Sequence, residues 1–497
     1  MKIQYKFFFS LVFIIVHSSQ STPLDDYVRA ADPHFGWTLI QTYEEIDYKL
    51  YVLNFTSQKW LDETYSSRSI WWHYLCITVP NKLTRPNSAF MLIDQGSNND
   101  RIPQPQDDFV ALTAMVAVGI GSIAVDLQDI PNGPIRFMND RTNRTRGDDA
   151  SIAWTWRSFI ENTSNIYVPL NLPMTKAAYR AMDAVQQFTG QQNLTTPKTF
   201  VVAGASKRGW ATWLTAAVDN ERVIGAIPIV MDILNFRTNL HHMYRSLFGW
   251  TFAFKDYYEL NITQDVDNDN LTKLTAIIDP LNYIDRFSKM KILQIQATGD
   301  EFFLLDNENA FWKDLQDATG GSFLRRMPNA DHVCVGHIIS LFFTMRSFYM
   351  SVYDERPLPK LQWIKSSNNT HGYIRATVDF SSGPKPISAI GYRARTLNDK
   401  RRDFRLLIGN PSDPKKAMAN PVFWFSTNLV TEEETKSTIV YSLTIENPTS
   451  GWEGFLIQVN FPGPDGSVLE LTTETQIIPD TYPTDDCHDE QCLGTLV

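Results

Sequence analysis

The stretch TFVVAGASKRGW, Thr199 to Trp210, constrains the fold more than any other in this sequence. Phe200, Val201 and Val202 make a short apolar strand, and Gly204 to Gly209 follows as a tight turn with a glycine at each end. Trp210, Trp213, Leu214 and Ala217 then recur at i, i+3, i+4 and i+7, the apolar stripe of a helix. Ser206 therefore sits on a sharp strand-to-helix turn, where its hydroxyl is exposed at the carboxyl end of a buried strand. That is the arrangement of a nucleophile elbow. The spacing is G-x-S-x-x-G, with Arg208 where the usual pattern has its second glycine. Taken alone, such a serine more often reads as a surface residue of a strand–helix loop, so its meaning depends on its surroundings.

Those surroundings alternate. GWTLIQTYEEIDYKLYVLNFTSQKW and WWHYLCITVP read as an antiparallel entry, and Phe90 to Ile93 as a strand buried on both faces. Helix (Phe109–Val118), strand (Gly121–Val125) and helix (Met174–Phe188) precede the elbow. Strands follow at Ile224–Val230, Ile292–Ile295 and Phe323–Arg325, with helices near Glu308–Ala318 and Ile338–Val352. Alternation at these lengths predicts a doubly wound, mostly parallel sheet of the α/β-hydrolase type over 22–356. Residues 231–290 interrupt the rhythm without strands and read as a helical cap insertion. Beyond Pro357 and Pro359, seven short strand-like runs separated by turn residues predict an immunoglobulin-like β-sandwich over about 365–480. An acidic tail, 481–497, closes the chain.

A nucleophilic serine needs a histidine base, and the histidine needs a carboxylate to fix its tautomer. In α/β-hydrolases they arrive in the order Ser, Asp/Glu, His, each on a loop after a sheet strand. The strand after the cap ends in Ala297-Thr298-Gly299-Asp300, and the next in Pro328-Asn329-Ala330-Asp331-His332. Ser206, Asp300 and His332 thus form the expected set, ahead of the competitors Glu301, Asp306 and His337. The Lys207 N–H should supply one oxyanion donor, and Gly96 or Ser97 a second from the loop after Phe90–Ile93. Arg208 either adds charge there or is a helix-surface arginine. This chemistry needs no cofactor and no metal; an ester or a peptide would be the substrate.

The first 21 residues set the compartment. Lys2 and Lys6 precede the apolar run Phe7–Val16 and then small polar residues, the pattern of a secretory signal peptide. No later run is long enough for a membrane span. Asn54, Asn143, Asn162, Asn193, Asn261, Asn270 and Asn368 lie in N-x-S/T sequons and become expected glycan sites behind such a leader. Cys487 and Cys492 are placed to close a small disulfide loop in the tail, while Cys76 and Cys334 read as either buried thiols or a second bridge. Formal net charge is −10, and removal of the leader's two lysines makes it more negative still, which argues against nucleic acid as a partner. Three further features have plain structural readings. The adjacent His241 and His242 do not share a helix face for metal binding. The basic run Arg393, Arg395, Lys400, Arg401, Arg402 and Arg405 reads first as a solvated strand edge, second as a site for an acidic partner. Trp71, Trp72, Trp154 and Trp156 read mainly as core.

Several of these segments together are similar to the PhoPQ-activated pathogenicity-related proteins: MLIDQGSNND, LPMTKAAYRAMDAV, GASKRGW, AIPIVMDILN, DPLNYIDR, ATGDEFFLLDN, PNADH and GWEGFLIQVNFP. The match runs along nearly the whole mature chain, and STPLDDYV resembles the secreted amoebal branch. The resemblance implies an α/β-hydrolase fold akin to esterases and dipeptidyl-peptidase-type enzymes. For the amoebal branch it also implies an extracellular signal that slows proliferation and repels cells, acting through a cell-surface receptor or another secreted protein. Arg208 in place of the second glycine is the one departure in the elbow.

Overall fold

The structure is a computed structural model that describes residues 21–497. The expected signal peptide lies outside the described residues, apart from Ser21.

A nine-stranded sheet organises the first part of the chain. Its strands are β1 (Gly36–Glu44), β2 (Tyr48–Lys59), β3 (Ile70–Pro80), β4 (Ser88–Ile93), β5 (Ile123–Leu127), β6 (Thr199–Ala205), β7 (Val223–Ile229), β8 (Lys291–Ala297) and β9 (Ser322–Met327). The spatial order is β1-β2-β3-β5-β4-β6-β7-β8-β9. β1, β2, β3 and β5 pair antiparallel, and every pairing from β5 through β4 to β9 is parallel. This is the α/β-hydrolase arrangement, with helices on both faces of a mainly parallel sheet. β6 shows why such strands are apolar throughout. Phe200 and Val202 belong to the core beneath α4 (Asn171–Gln191) and α5 (Lys207–Val218), whereas Val201 and Ala203 belong to the core beneath α2 (Asp108–Ile120) and α10 (Ile338–Tyr353). Two elements had no counterpart in the sequence reading. α1 (Pro23–Arg29) starts on a capping box between Thr22 and Asp25, and α3 (Asp148–Glu161) buries Ile152, Trp156, Phe159 and Ile160.

Between β7 and β8 the chain is helical. It carries α6 (Phe236–Leu247), α7 (Lys255–Glu259) and α8 (Asp269–Ile278), joined by 3₁₀ turns. This insertion buries Phe236, Leu240, Tyr257 and Ile262 against the ends of α3 and α5. A ninth helix, α9 (Trp312–Ala318), precedes β9.

Beyond α10 two antiparallel sheets face each other. One has the order β10 (Lys360–Ser367), β11 (His371–Asp379), β17 (Thr438–Glu446), β16 (Val430–Glu434). The other has β15 (Phe425–Thr427), β12 (Ser388–Arg395), β18 (Glu453–Pro462), β19 (Val468–Thr472), with β20 (Gln476–Ile478) also on β18. Read along the chain, these orders are A-B-E-D and C′-C-F-G, the strand order of an immunoglobulin sandwich. The first sheet begins at Lys360, ahead of the expected start near 365. DFRLLIGN does not join either sheet: its β13 (Leu407–Asn410) pairs with β14 (Asp413–Ala419) as a separate hairpin. The inner face of the sandwich, including Phe455, Ile457 and Val459, is continuous with the core under α10.

The basic run is not a solvated strand edge at its end. Arg402 and Arg405 are buried, Arg402 on Asp306 at 2.6 Å and Arg405 on Asp403 at 2.5 Å. Cys487 and Cys492 are bonded, and Cys76 and Cys334 are free and buried. The tail's Cys487 and Cys492 pack in the core, although Asp485, Asp486, Asp489 and Glu490 remain exposed. Among the described residues no helix is long and apolar enough to cross a membrane.

Candidate active site

The elbow is built by steric necessity on either side of Ser206. A β-carbon on Gly204 would lie 2.6 Å from the Arg208 carbonyl oxygen, and one on Gly209 would lie 2.8 Å from the Met231 β-carbon. Only glycine fits at both, so the second glycine is required at position 209 and Arg208 is free to be a side chain. Ser206 itself has φ 58° and ψ −126°, a strained conformation that costs about 1–3 kcal/mol and marks functional turns. Its N–H donates to the Ile229 carbonyl at 2.8 Å, and its own carbonyl accepts from Trp210 N–H at 3.1 Å, which starts α5.

Asp300 and His332 lie on the loops after β8 and β9, and those loops are tied together. Gly299 N–H donates to the Ala330 carbonyl at 2.8 Å, and Asn329 N–H to Thr298 Oγ1 at 2.9 Å. Asn329 also exchanges two hydrogen bonds with the backbone of Trp424, at 2.9 and 2.7 Å, so the sandwich's long connection braces the histidine loop.

The result is a continuous chain of hydrogen bonds. His332 Nδ1 is 2.9 Å from each oxygen of Asp300, and His332 Nε2 is 2.8 Å from Ser206 Oγ. Asp300 Oδ1 accepts from the Phe302 and Phe303 amides at 2.8 and 3.2 Å. With Nδ1–H donating to the carboxylate, Nε2 is left to accept the serine hydroxyl proton. Burial alone would lower the His332 pKa; the Asp300 charge and hydrogen bond overcome it and raise the imidazole above its ordinary value. Phe302 covers the ring, centroid to centroid 4.4 Å.

The competing residues have other work. Glu301 accepts the His332 backbone N–H at 3.1 Å, Asp306 is held by His242 and Arg402, and His337 stands at the start of α10. Arg208 is neither a surface residue nor a free charge: it is buried, bound to the Ile130 carbonyl and to Asp148 at 2.8 Å. Lys207 points its ammonium at Asp149, 3.0 Å away. Its backbone N–H opens α5 and so is one of the helix's amides without an intrahelical acceptor. In the parallel ladder Ile93 lies opposite Gly204, so the loop that carries Gly96 and Ser97 leaves the sheet beside the elbow. Ser97 N–H is engaged by Asp100 at 2.8 Å.

Ser206 opens on a cavity of about 50 Å³ with almost wholly apolar walls. Trp156, one of the tryptophans read from sequence as core, forms part of that wall, while Trp71 is buried elsewhere and Trp72 and Trp154 are partly exposed. No sequence signal marked the cavity lining as such, since Phe236, Leu240 and Tyr257 come from the helical insertion. His241 sits between Asp267 and Asp486 at 3.2 and 2.8 Å; the neighbouring Cys487 is in the disulfide and offers no thiolate to a metal. Of the sequon asparagines, Asn54, Asn143, Asn162, Asn193, Asn261 and Asn368 are exposed. Asn270 is half-buried, with its amide donating to the Ile160 carbonyl at 2.9 Å.

A family model described as PhoPQ-activated pathogenicity-related protein matches residues 24–405. The chain is 36% identical over 492 residues to autocrine proliferation repressor protein A of Dictyostelium discoideum, covering 97% of this chain and 96% of that one. It is also similar to acetyl xylan esterase 1 of Thermoanaerobacterium (TM-score 0.45, 14% identity, 66% of this chain and 91% of that chain). The acetyl xylan esterase of Paenibacillus matches with a TM-score of 0.42 at 13% identity, over 66% of this chain and 95% of that chain. With the family model spanning most of its length and a relative aligned end to end, the chain belongs to the PhoPQ-activated pathogenicity-related protein family.

Proposed function

We propose that this chain is a secreted, glycosylated signal that slows cell proliferation and repels cells, and that it carries a working serine hydrolase. The first half of the reading leans on its relative, which is named an autocrine proliferation repressor. The second half leans on one observation, the hydrogen-bonded chain Ser206–His332–Asp300 at the mouth of an apolar cavity.

In the proposed reaction Ser206 Oγ attacks an acyl carbon while His332 Nε2 takes its proton, and Asp300 stabilises the imidazolium. The Lys207 N–H and the Gly96 N–H hold the oxyanion. His332 then protonates the leaving group, and water repeats the sequence to release the acid and free Ser206. The substrate is an ester or a peptide, and the extracellular partner is a cell-surface receptor or another secreted protein. The glycans sit on the six exposed sequon asparagines.

The test is to add purified wild-type protein and Ser206→Ala to growing amoebae, with hydrolysis measured on the same preparations. Loss of hydrolysis together with repression would show that the signal runs through catalysis. Repression by a Ser206→Ala protein that no longer hydrolyses would assign the signal to the scaffold's surface. A folded wild type without hydrolase activity would defeat the enzymatic half.

A further inference from the structure

The cavity beside Ser206 is small, and its walls are fixed. About 50 Å³ is roughly a third of the 150 Å³ cavity that holds a benzene ring, so it has room for about two to four carbons. Four of the aromatic rings that line it cluster together: Trp156 lies 5.3 Å from Trp210, 5.4 Å from Phe236 and 5.2 Å from Tyr257, centroid to centroid. The rings have little freedom to move aside. Trp210 Nε1–H donates to the Ile278 carbonyl at 2.6 Å, and Trp156 Nε1–H to Asn171 Oδ1 at 2.9 Å. The start of α6 is pinned too, because the Phe236 N–H donates to Asp279 at 2.8 Å. Close-packed interiors of this kind do not expand for a longer ligand without strain.

From this geometry we infer that the site is a short-chain esterase: the acyl group of an ester, two to four carbons long, seats in the aromatic box, and Phe236 on the helical insertion sets the length limit. The inference rests on the hydrolase reading above. Ser206 Oγ bonds to the acyl carbon, the carbon–oxygen bond to the alcohol breaks, and the alcohol leaves with the proton held by His332. Water then cleaves the acyl-serine ester and releases a short carboxylic acid. A bulky leaving group such as nitrophenol does not fit the cavity and faces outward, so the acyl chain alone is gauged by the box.

The experiment uses full-length protein with p-nitrophenyl acetate, butyrate and octanoate, comparing wild type with Phe236→Ala and Leu240→Ala. For wild type, kcat/KM on acetate should exceed that on octanoate by at least about 100-fold, since each excluded methylene is worth about tenfold or more. Phe236→Ala should raise the octanoate-to-acetate ratio by about tenfold or more. Leu240→Ala, from the same wall, supplies the same readout if the first variant does not fold. Octanoate turned over as well as acetate by wild type, or a ratio unmoved in both folded variants, overturns the inference. So does a wild type that reacts with a fluorophosphonate probe yet hydrolyses none of the esters, a result that leaves the hydrolase reading standing. Failure to react with the probe removes both.

Discussion

Two histidine–aspartate pairs, each with a buried carboxylate, lie close together in this molecule, and they are built for different ends. His332 and Asp300 meet at 2.9 Å, with Asp300 held by two backbone amides and the far imidazole nitrogen turned to Ser206. His242 and Asp306 meet at 2.8 Å, but the second oxygen of Asp306 takes the guanidinium of the buried Arg402. The far nitrogen of His242 faces the Tyr482 hydroxyl at 3.2 Å. The first pair therefore ends on the Ser206 hydroxyl at an apolar cavity, whereas the second ends on the Tyr482 phenol in a separate pocket and has its carboxylate neutralised by Arg402. The second also joins three separate regions: α6 of the insertion, the sandwich connection through Arg402, and the tail through Tyr482. A His–Asp contact identifies neither role; what lies at its two ends does.

Substitution should separate the pairs cleanly. Ser206→Ala is expected to lower kcat by about 10⁴-fold or more, and Asp300→Asn by about 10⁴-fold through the wrong imidazole tautomer. Both should leave the unfolding free energy within about 1 kcal/mol of wild type, measured by urea titration. Arg402→Ala should do the reverse. It leaves the Asp306 carboxylate buried without its cation and should cost about 3–5 kcal/mol of stability. Acyl transfer measured well below its unfolding transition should persist. An Arg402 variant that unfolds like wild type would mean the second pair is no clamp.

The smallest expected effect is in pH dependence, and its sign differs between the pairs. His332 has a raised pKa because Asp300 overcomes the effect of burial. Its contribution to stability is complete below the ordinary imidazole value of about 6.5 and is lost as pH rises through the folded value. Activity needs the neutral ring, so kcat/KM should climb with pH through a limb lying above about 6.5. Burial alone would raise the Asp306 pKa, but Arg402 and His242 draw it well below the carboxylate range. Its contribution is full above about pH 4 and is lost only as pH falls through the depressed value. Asp306→Asn should flatten that acid limb of the stability curve and leave the activity limb in place.

The chemistry-bearing end of the fold was legible because it is local. GASKRGW, ATGD and PNADH each place one residue at the end of a short apolar strand, and chain order does the rest. α3 was missed even though Ile152, Trp156, Phe159 and Ile160 keep helical spacing, because its polar first turn, Asp148 and Asp149, continues the arginine-rich polar stretch before it. Arg402 carried no such signal. Its partner Asp306 lies 96 residues away, so a run of arginines on the strand edge looked solvated when part of it is buried. The cavity was equally hidden, because rings from α3, α5, α6 and α7 converge there only after the insertion folds over the sheet.

Activation of Ser206 as a nucleophile is what the proposed hydrolase depends on. Its most direct measurement is the intact mass of the folded protein after exposure to a fluorophosphonate, with the adduct mapped by peptide sequencing. The expected result is one phosphonyl group per chain on Ser206, none on Ser206→Ala, and a rate that rises with pH through the His332 limb. Folded wild-type protein that gains no mass, or gains it on another residue, would contradict it.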